Sequence, residues 1–115
     1  MAVHQSILDL IGNTPVVDVS KLSPNPNVKI YAKLENQNPA GSVKDRIAKS
    51  MVLQAEKQGL LKPGSTLIEP SSGNTGIALA MIASMRNYQL KIVLPQNVSI
   101  ERKPVSYTHL TLPTK

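Results

Sequence analysis

The sequence predicts an α/β fold with an open, mostly parallel sheet built from βαβ units. Two observations carry that reading. Residues 66–94 run as strand, glycine-containing turn, apolar helix and strand, an order that closes naturally by a right-handed crossover between parallel strands. Upstream, the alternation Val28-Lys29-Ile30-Tyr31-Ala32-Lys33-Leu34 passes through a polar loop into a capped amphipathic helix, again strand then helix. A length of 115 residues bounds the chain at one modest domain or part of a larger one.

Taken in order, Ser6 to Ile11 reads as a short helix. Gly12-Asn13-Thr14-Pro15 closes it, because Pro15 cannot continue a helix. Val16 to Val19 is a short strand, and Lys21 to Asn27, with Pro24 and Pro26, is a loop. Residues 28–34 form a strand with one buried face, and Glu35 to Gly41 form a polar loop. Ser42 and Asp45 match a capping box. The helix behind them carries Val43, Ile47, Met51 and Ala55 at four-residue spacing until Gly59 and Pro63 stop it. Thr66 to Glu69 is a strand leading into Pro70-Ser71-Ser72-Gly73-Asn74-Thr75-Gly76. The following helix, Ile77 to Met85, is apolar almost all round and must be buried. Leu90 to Leu94 is the closing strand, ended by Pro95.

Composition narrows the function classes. The chain has no Cys, so disulfides, iron–sulfur clusters and thiolate zinc sites are excluded, and its two histidines, His4 and His109, lie near opposite ends. Neither a metal site nor a His-based triad is expected. No apolar run approaches the ~20 residues of a membrane helix, and the N-terminus lacks a signal-peptide pattern, so a soluble cytoplasmic protein is expected. The net charge of +6 is dispersed, and three Tyr with no Phe or Trp leave little for stacking bases, so nucleic acid is not the expected partner. An anionic small molecule or a phosphate-bearing cofactor suits that charge better.

Two segments could carry chemistry. In an open parallel sheet, ligands bind beyond the carboxyl ends of the strands, where loops enter helix N-termini. Ser71 to Gly76 lies at such a place and supplies hydroxyls, an amide and two glycines to cradle a carboxylate or phosphate. The same residues also suit a tight capped βα turn. No Lys follows the last glycine and no G-x-G-x-x-G is present, which excludes a Walker A loop and the dinucleotide fingerprint. The second segment is Asn38 to Arg46. With Ser42 as N-cap, Lys44 falls in the first helical turn, where the positive helix end and nearby Arg46 disfavour its charge. A neutral amine is what imine chemistry requires, although a plain surface lysine also fits.

Together these segments resemble the N-terminal part of the cysteine synthase and cystathionine β-synthase family, pyridoxal-phosphate enzymes of fold type II. Leu10-Ile11-Gly12-Asn13-Thr14-Pro15 is similar to the family's opening signature, Asn38 to Arg46 to its cofactor-lysine motif, and Ser71 to Gly76 with Ile77-Ala78-Leu79-Ala80 to its asparagine loop. Pro95 to Arg102 is similar to a further family stretch, so the resemblance covers about Ser6 to Lys103. It implies pyridoxal 5′-phosphate as cofactor, carried by Lys44 as a Schiff base, with Lys44 afterwards moving the substrate α-proton. It implies that Asn74 bonds the cofactor's 3′-oxygen, and that Ser71, Ser72, Gly73 and Thr75 hold the substrate carboxylate.

The implied reaction is cysteine synthesis by β-replacement on O-acetylserine or O-phosphoserine with a sulfur donor. The alternatives are a cystathionine β-synthase-type condensation of serine with homocysteine, or a non-catalytic fragment. A homodimer is implied for the intact protein. The family's phosphate-gripping loop lies in a second domain that has no counterpart here, so the expectation is residues 1–103 of a truncated enzyme, poorly active alone. Residues 104–115 show no family pattern and no helical period after Pro104, and read as a foreign or frame-shifted tail.

Overall fold

The computed structural model describes residues 1–71 and 73–96. Ser72, the stretch from 97 and the expected boundary after Lys103 lie outside the described residues. Among the described residues the chain forms two small sheets and two α-helices. β1 (Val16–Asp18) pairs antiparallel with β2 (Tyr31–Lys33), with Val17 opposite Ala32. β3 (Thr66–Pro70) pairs parallel with β4 (Gln89–Val93), in register from Thr66 opposite Gln89 to Pro70 opposite Val93. The crossover between β3 and β4 is α2 (Asn74–Arg86), so the predicted βαβ unit is present. α1 (Lys44–Lys57) packs on α2.

The core grows from α2, whose Ala78, Leu79, Ala80, Ile82 and Ala83 are all buried. Three alanines let its neighbours approach closely, and Leu90 and Ile92 of β4 close one side while Ala48 and Val52 of α1 close another. Gly76 is buried where α2 begins. A Cβ there would lie 3.3 Å from the Ile92 side chain and 3.3 Å from the Ser71 hydroxyl, so the position has room for little more than hydrogen. The helix ends at Asn87, which takes the left-handed conformation at φ 60° while the Tyr88 N–H returns to the Ala83 carbonyl at 2.9 Å.

Three expectations need correction. Ser6 to Ile11 is helical only over Ile7–Leu10, as a 3₁₀ turn, with Ser6 and Asp9 closing a capping box. The strand expected over 28–34 forms a ladder only at Tyr31–Lys33, and Val28 and Ile30 stand 43% and 38% exposed rather than on a buried face. β1 is three residues long and offers no longer partner, although the Val19 N–H to Ile30 and Leu34 N–H to Pro15 bonds of 2.9 Å continue the pairing at both ends.

The third correction concerns α1. Its four-residue apolar row Val43, Ile47 and Met51 is 42–43% exposed, while Asp45, Ala48 and Val52 face inward. Side-chain tethers set that rotation. Arg46 is held by Glu35, and the Lys49 ammonium donates to the Leu8 carbonyl at 2.8 Å. Small Ala48 then meets the alanine-lined surface of α2 at a distance the larger row would not allow. No helix among the described residues is long and apolar enough to cross a membrane.

Because Ile82 is completely buried at the junction of α2 with both neighbours, Ile82→Ala is expected to lower the unfolding free energy by about 2–5 kcal/mol. Urea unfolding followed by far-UV circular dichroism measures this. A shift within error of zero would mean that α2 is not the centre of the core.

Candidate active site

Lys44 stands half-buried in the first turn of α1. Its backbone N–H donates to the Ser42 hydroxyl at 3.1 Å, and its side-chain amine makes no hydrogen bond among the described residues. The expected capping box does not close. Gly41, at φ 92°, turns the loop so that the Asp45 carboxylate accepts from the Ala40 N–H at 2.6 Å instead of from Ser42. Asp45 is fully buried, and its second oxygen has no partner among the described residues. Burial pushes its carboxyl upward, and the Ala40 N–H draws it back in part.

Arg46 does not act on Lys44 as a free positive charge. Its guanidinium grips Glu35 in a two-point fork, Nε to Oε2 at 2.8 Å and Nη2 to Oε1 at 2.9 Å. Glu35 also accepts from the Thr14 hydroxyl at 2.6 Å and the Asn38 side-chain amide at 2.8 Å. Asn38, buried, accepts in turn from the Gly12 N–H at 2.8 Å, and Lys33 donates to the Thr14 carbonyl at 2.9 Å. Gly12, at φ 90°, comes so close to Arg46 that a Cβ would sit 3.0 Å from the guanidinium. The bonds from Arg46 first, then Thr14, hold the Glu35 carboxyl down at about 2.

The second predicted segment opens α2. The Ser71 hydroxyl accepts from the Gly76 N–H at 3.0 Å and the Gly73 N–H at 3.3 Å, capping the helix across its first turn. A hydroxyl that accepts twice still has its proton to donate. Asn74 is exposed as the first residue of the helix, Gly73 and Thr75 are half-buried beside it, and Ser72 lies outside the described residues. The loop is thus a capped turn, with Asn74 exposed and Ser71, Gly73 and Thr75 half-buried.

Each of the two segments opens one helix of the packed pair α1–α2. Glu56 and Arg86 each lie twelve residues past Lys44 and Asn74, about 18 Å along their helices. There Arg86 grips Glu56 through both Nε and Nη2, and the Tyr88 hydroxyl donates to the same carboxylate at 2.8 Å. Lys44 and Asn74 stand at the starts of these two packed helices, away from that tie. An apolar cleft lined by Met51, Val52, Leu61, Leu67 and Ile68 lies beside the middle of α1 and includes neither segment.

Sequence reasoning placed Lys44 and the 71–76 loop but missed the cluster behind the lysine. Glu35 sat in a stretch read only as polar loop, and its arginine is eleven residues away with no helical or strand period to pair them.

The family described as "Pyridoxal-phosphate dependent enzyme" matches residues 7–106. Cysteine synthase B of Salmonella typhimurium is 57% identical over 93 residues, covering 81% of this chain and 31% of that protein. Cystathionine beta-synthase of Saccharomyces cerevisiae is 52% identical over 105 residues, 89% of this chain and 21% of that one. A crystal structure of O-ureido-L-serine synthase superposes with a TM-score of 0.90 at 46% identity, over 97% of this chain and 36% of its own. The chain thus spans about a third or less of the length of these relatives.

The Glu35 cluster makes stability pH-dependent with a definite sign. Its folded value is lowered from 4.5 to about 2, so its contribution is complete above pH 4.5 and is lost as pH falls toward 2. The gap in urea midpoint between the native chain and Glu35→Gln is therefore expected to be widest near neutrality and to close over that interval. A gap constant with pH would show that Glu35 is not ionised in the cluster.

Proposed function

The chain belongs to the family of pyridoxal-phosphate-dependent enzymes, and from that premise we propose that it is the cofactor-lysine portion of a β-replacement enzyme. The substrate is an activated serine, O-acetylserine or O-phosphoserine, the incoming group is a sulfur nucleophile, and the product is cysteine. One observation carries the reading: the Lys44 amine, free of hydrogen bonds among the described residues, stands in the first turn of α1, which packs on the helix that Asn74 opens. The cysteine synthase B relatives support the choice of sulfur chemistry.

The residues present fit the cofactor. Lys44 is a half-buried amine on a fixed helix start, suited to attach the cofactor carbonyl and afterwards to carry the substrate α-proton. Asn74, exposed at the first position of α2, would hydrogen-bond the cofactor's 3′-oxygen. Ser71, Ser72, Gly73 and Thr75 hold the substrate carboxylate with hydroxyl protons and backbone N–H groups at the positive end of α2. Ser71 serves twice, its oxygen capping the helix and its proton reaching the carboxylate. When bound, pyridoxal phosphate supplies the electron sink for loss of the α-proton and the β-substituent. The cofactor phosphate falls to chain beyond this third of the fold, and the intact protein is read as a cytoplasmic homodimer.

A second reading, condensation of serine with homocysteine, is favoured by the yeast cystathionine beta-synthase relative, whose 52% identity lies within the 49–57% of the cysteine synthases.

The test is to incubate the chain with pyridoxal phosphate, reduce with borohydride and map the modified peptides. A phosphopyridoxyl group concentrated on Lys44 and lost in Lys44→Ala is the expected outcome, with Asn74→Ala weakening it. Labelling spread evenly over exposed lysines such as Lys57 and Lys62 would overturn the assignment.

A further inference from the structure

We propose that Glu35 is a positioning residue for Lys44: through Arg46, Thr14 and Asn38 it fixes the backbone on which the lysine stands. The inference rests on the assignment of Lys44 as the cofactor lysine.

The geometry supports it from both sides of the lysine. Arg46, two residues after Lys44, is locked by two bonds to Glu35, and Asp45, one residue after it, is locked to Ala40. Before it, the Ser42 hydroxyl takes the Lys44 N–H. Asn38, at the entrance of the same loop, is pinned by its own amide to the Glu35 carboxylate and, at 2.9 Å, to the Glu35 carbonyl. Glu35 therefore accepts four side-chain bonds, from Thr14, Asn38 and Arg46 twice, which uses the whole accepting capacity of a carboxylate.

None of those bonds goes to Lys44 itself. Everything around the lysine is tied down while its amine is left for another partner, the arrangement a nucleophile needs in order to be aimed without being quenched. All four donors to the Glu35 carboxylate are side chains, so it does not cap α1; it joins the 12–15 turn through Thr14 and α1 through Arg46, while Asn38 binds it within its own turn.

Positioning and electrostatics predict opposite signs, which makes the idea testable. Removing the Glu35 charge leaves Arg46 uncompensated two residues from Lys44, and on charge alone that added positive field attracts the anionic pyridoxal phosphate and speeds its capture. Loss of positioning instead slows it. The experiment is borohydride trapping with peptide mapping, following the rate of label entering Lys44 relative to Lys57 and Lys62 in the native chain, Glu35→Gln, Arg46→Lys and Glu56→Gln. Arg46→Lys keeps the charge and loses the fork, and it decides the matter if Glu35→Gln fails to retain native helical circular dichroism. Glu56→Gln removes the ion pair at the far end of the same helix and controls for general loss of stability.

The expected result is a fall of about tenfold in Lys44 selectivity for Glu35→Gln, a fall of several-fold for Arg46→Lys, and little change for Glu56→Gln. Unchanged or faster labelling of Lys44 in folded Glu35→Gln or Arg46→Lys overturns the positioning role while leaving Lys44 as the cofactor lysine. An equal fall in Glu56→Gln also overturns it, since the effect is then one of stability. Absence of selective labelling in the native chain overturns both assignments.

Discussion

A helix that is apolar almost all round cannot lie on a two-stranded sheet with its other side in water. α2 presents Ala78, Leu79, Ala80, Ile82 and Ala83 in directions that no single neighbour covers, and each of them is buried. Satisfying that demand requires β4 on one side and α1 on another. The rest of the described architecture follows from how α1 is brought there. Its inward residues are small or of middling size, Ala48 and Val52, and short side chains on both helices let the backbones come close enough to exclude water. Once the helices lie side by side, with Glu56 bound to Arg86, the lysine and the asparagine that open them stand away from that tie.

Burial alone leaves one degree of freedom, the rotation and slide of α1 along α2. The polar cluster centred on Glu35 removes it. A carboxylate that receives two donors from Arg46, one from Thr14 and one from Asn38 has a narrow set of permitted positions, because the donors come from α1, from the 12–15 turn and from its own turn, and each bond is directional. Partly buried charge pairs of this kind are poor sources of net stability, since desolvation offsets much of the attraction. Their value lies in selecting one arrangement among several of similar burial. The fully buried Asp45, held by Ala40 with one oxygen bare among the described residues, is a further departure from a purely apolar helix interface and lies beside the same lysine.

Much of the fold was legible because the signals were local. The run from Thr66 through Val93 could be parsed as strand, helix and strand from apolar runs and turn residues, and the parallel pairing of β3 with β4 follows that order. Lys44 and the Ser71–Thr75 loop were legible because glycine, hydroxyl and amide residues concentrate where strands give way to helices. The exposed Val43, Ile47 and Met51 show where periodicity misleads. A four-residue apolar row marks a face that can be buried, but α1 carries two adjacent faces of that kind and its tethers choose the other. Val28 and Ile30 fail for a related reason, since alternation describes what a strand could bury and their ribbon has only a three-residue partner.

By itself the sequence determined which chemistry the chain can carry: an amine in the first turn of one helix, an amide and hydroxyls in the first turn of another, and the βαβ order that puts the second of these beyond the end of a strand. Those are properties of neighbouring residues, set by backbone preference and capping within a few positions. Tertiary structure decided which face of α1 turns inward, that α1 packs on α2 with Glu56 tied to Arg86, and that Glu35 reaches Arg46 and Thr14. Each of those depends on residues 11 to 41 positions apart coming within hydrogen-bond distance. No local period encodes such a meeting, because it exists only after the apolar surfaces have closed and left the carboxylate no better partner.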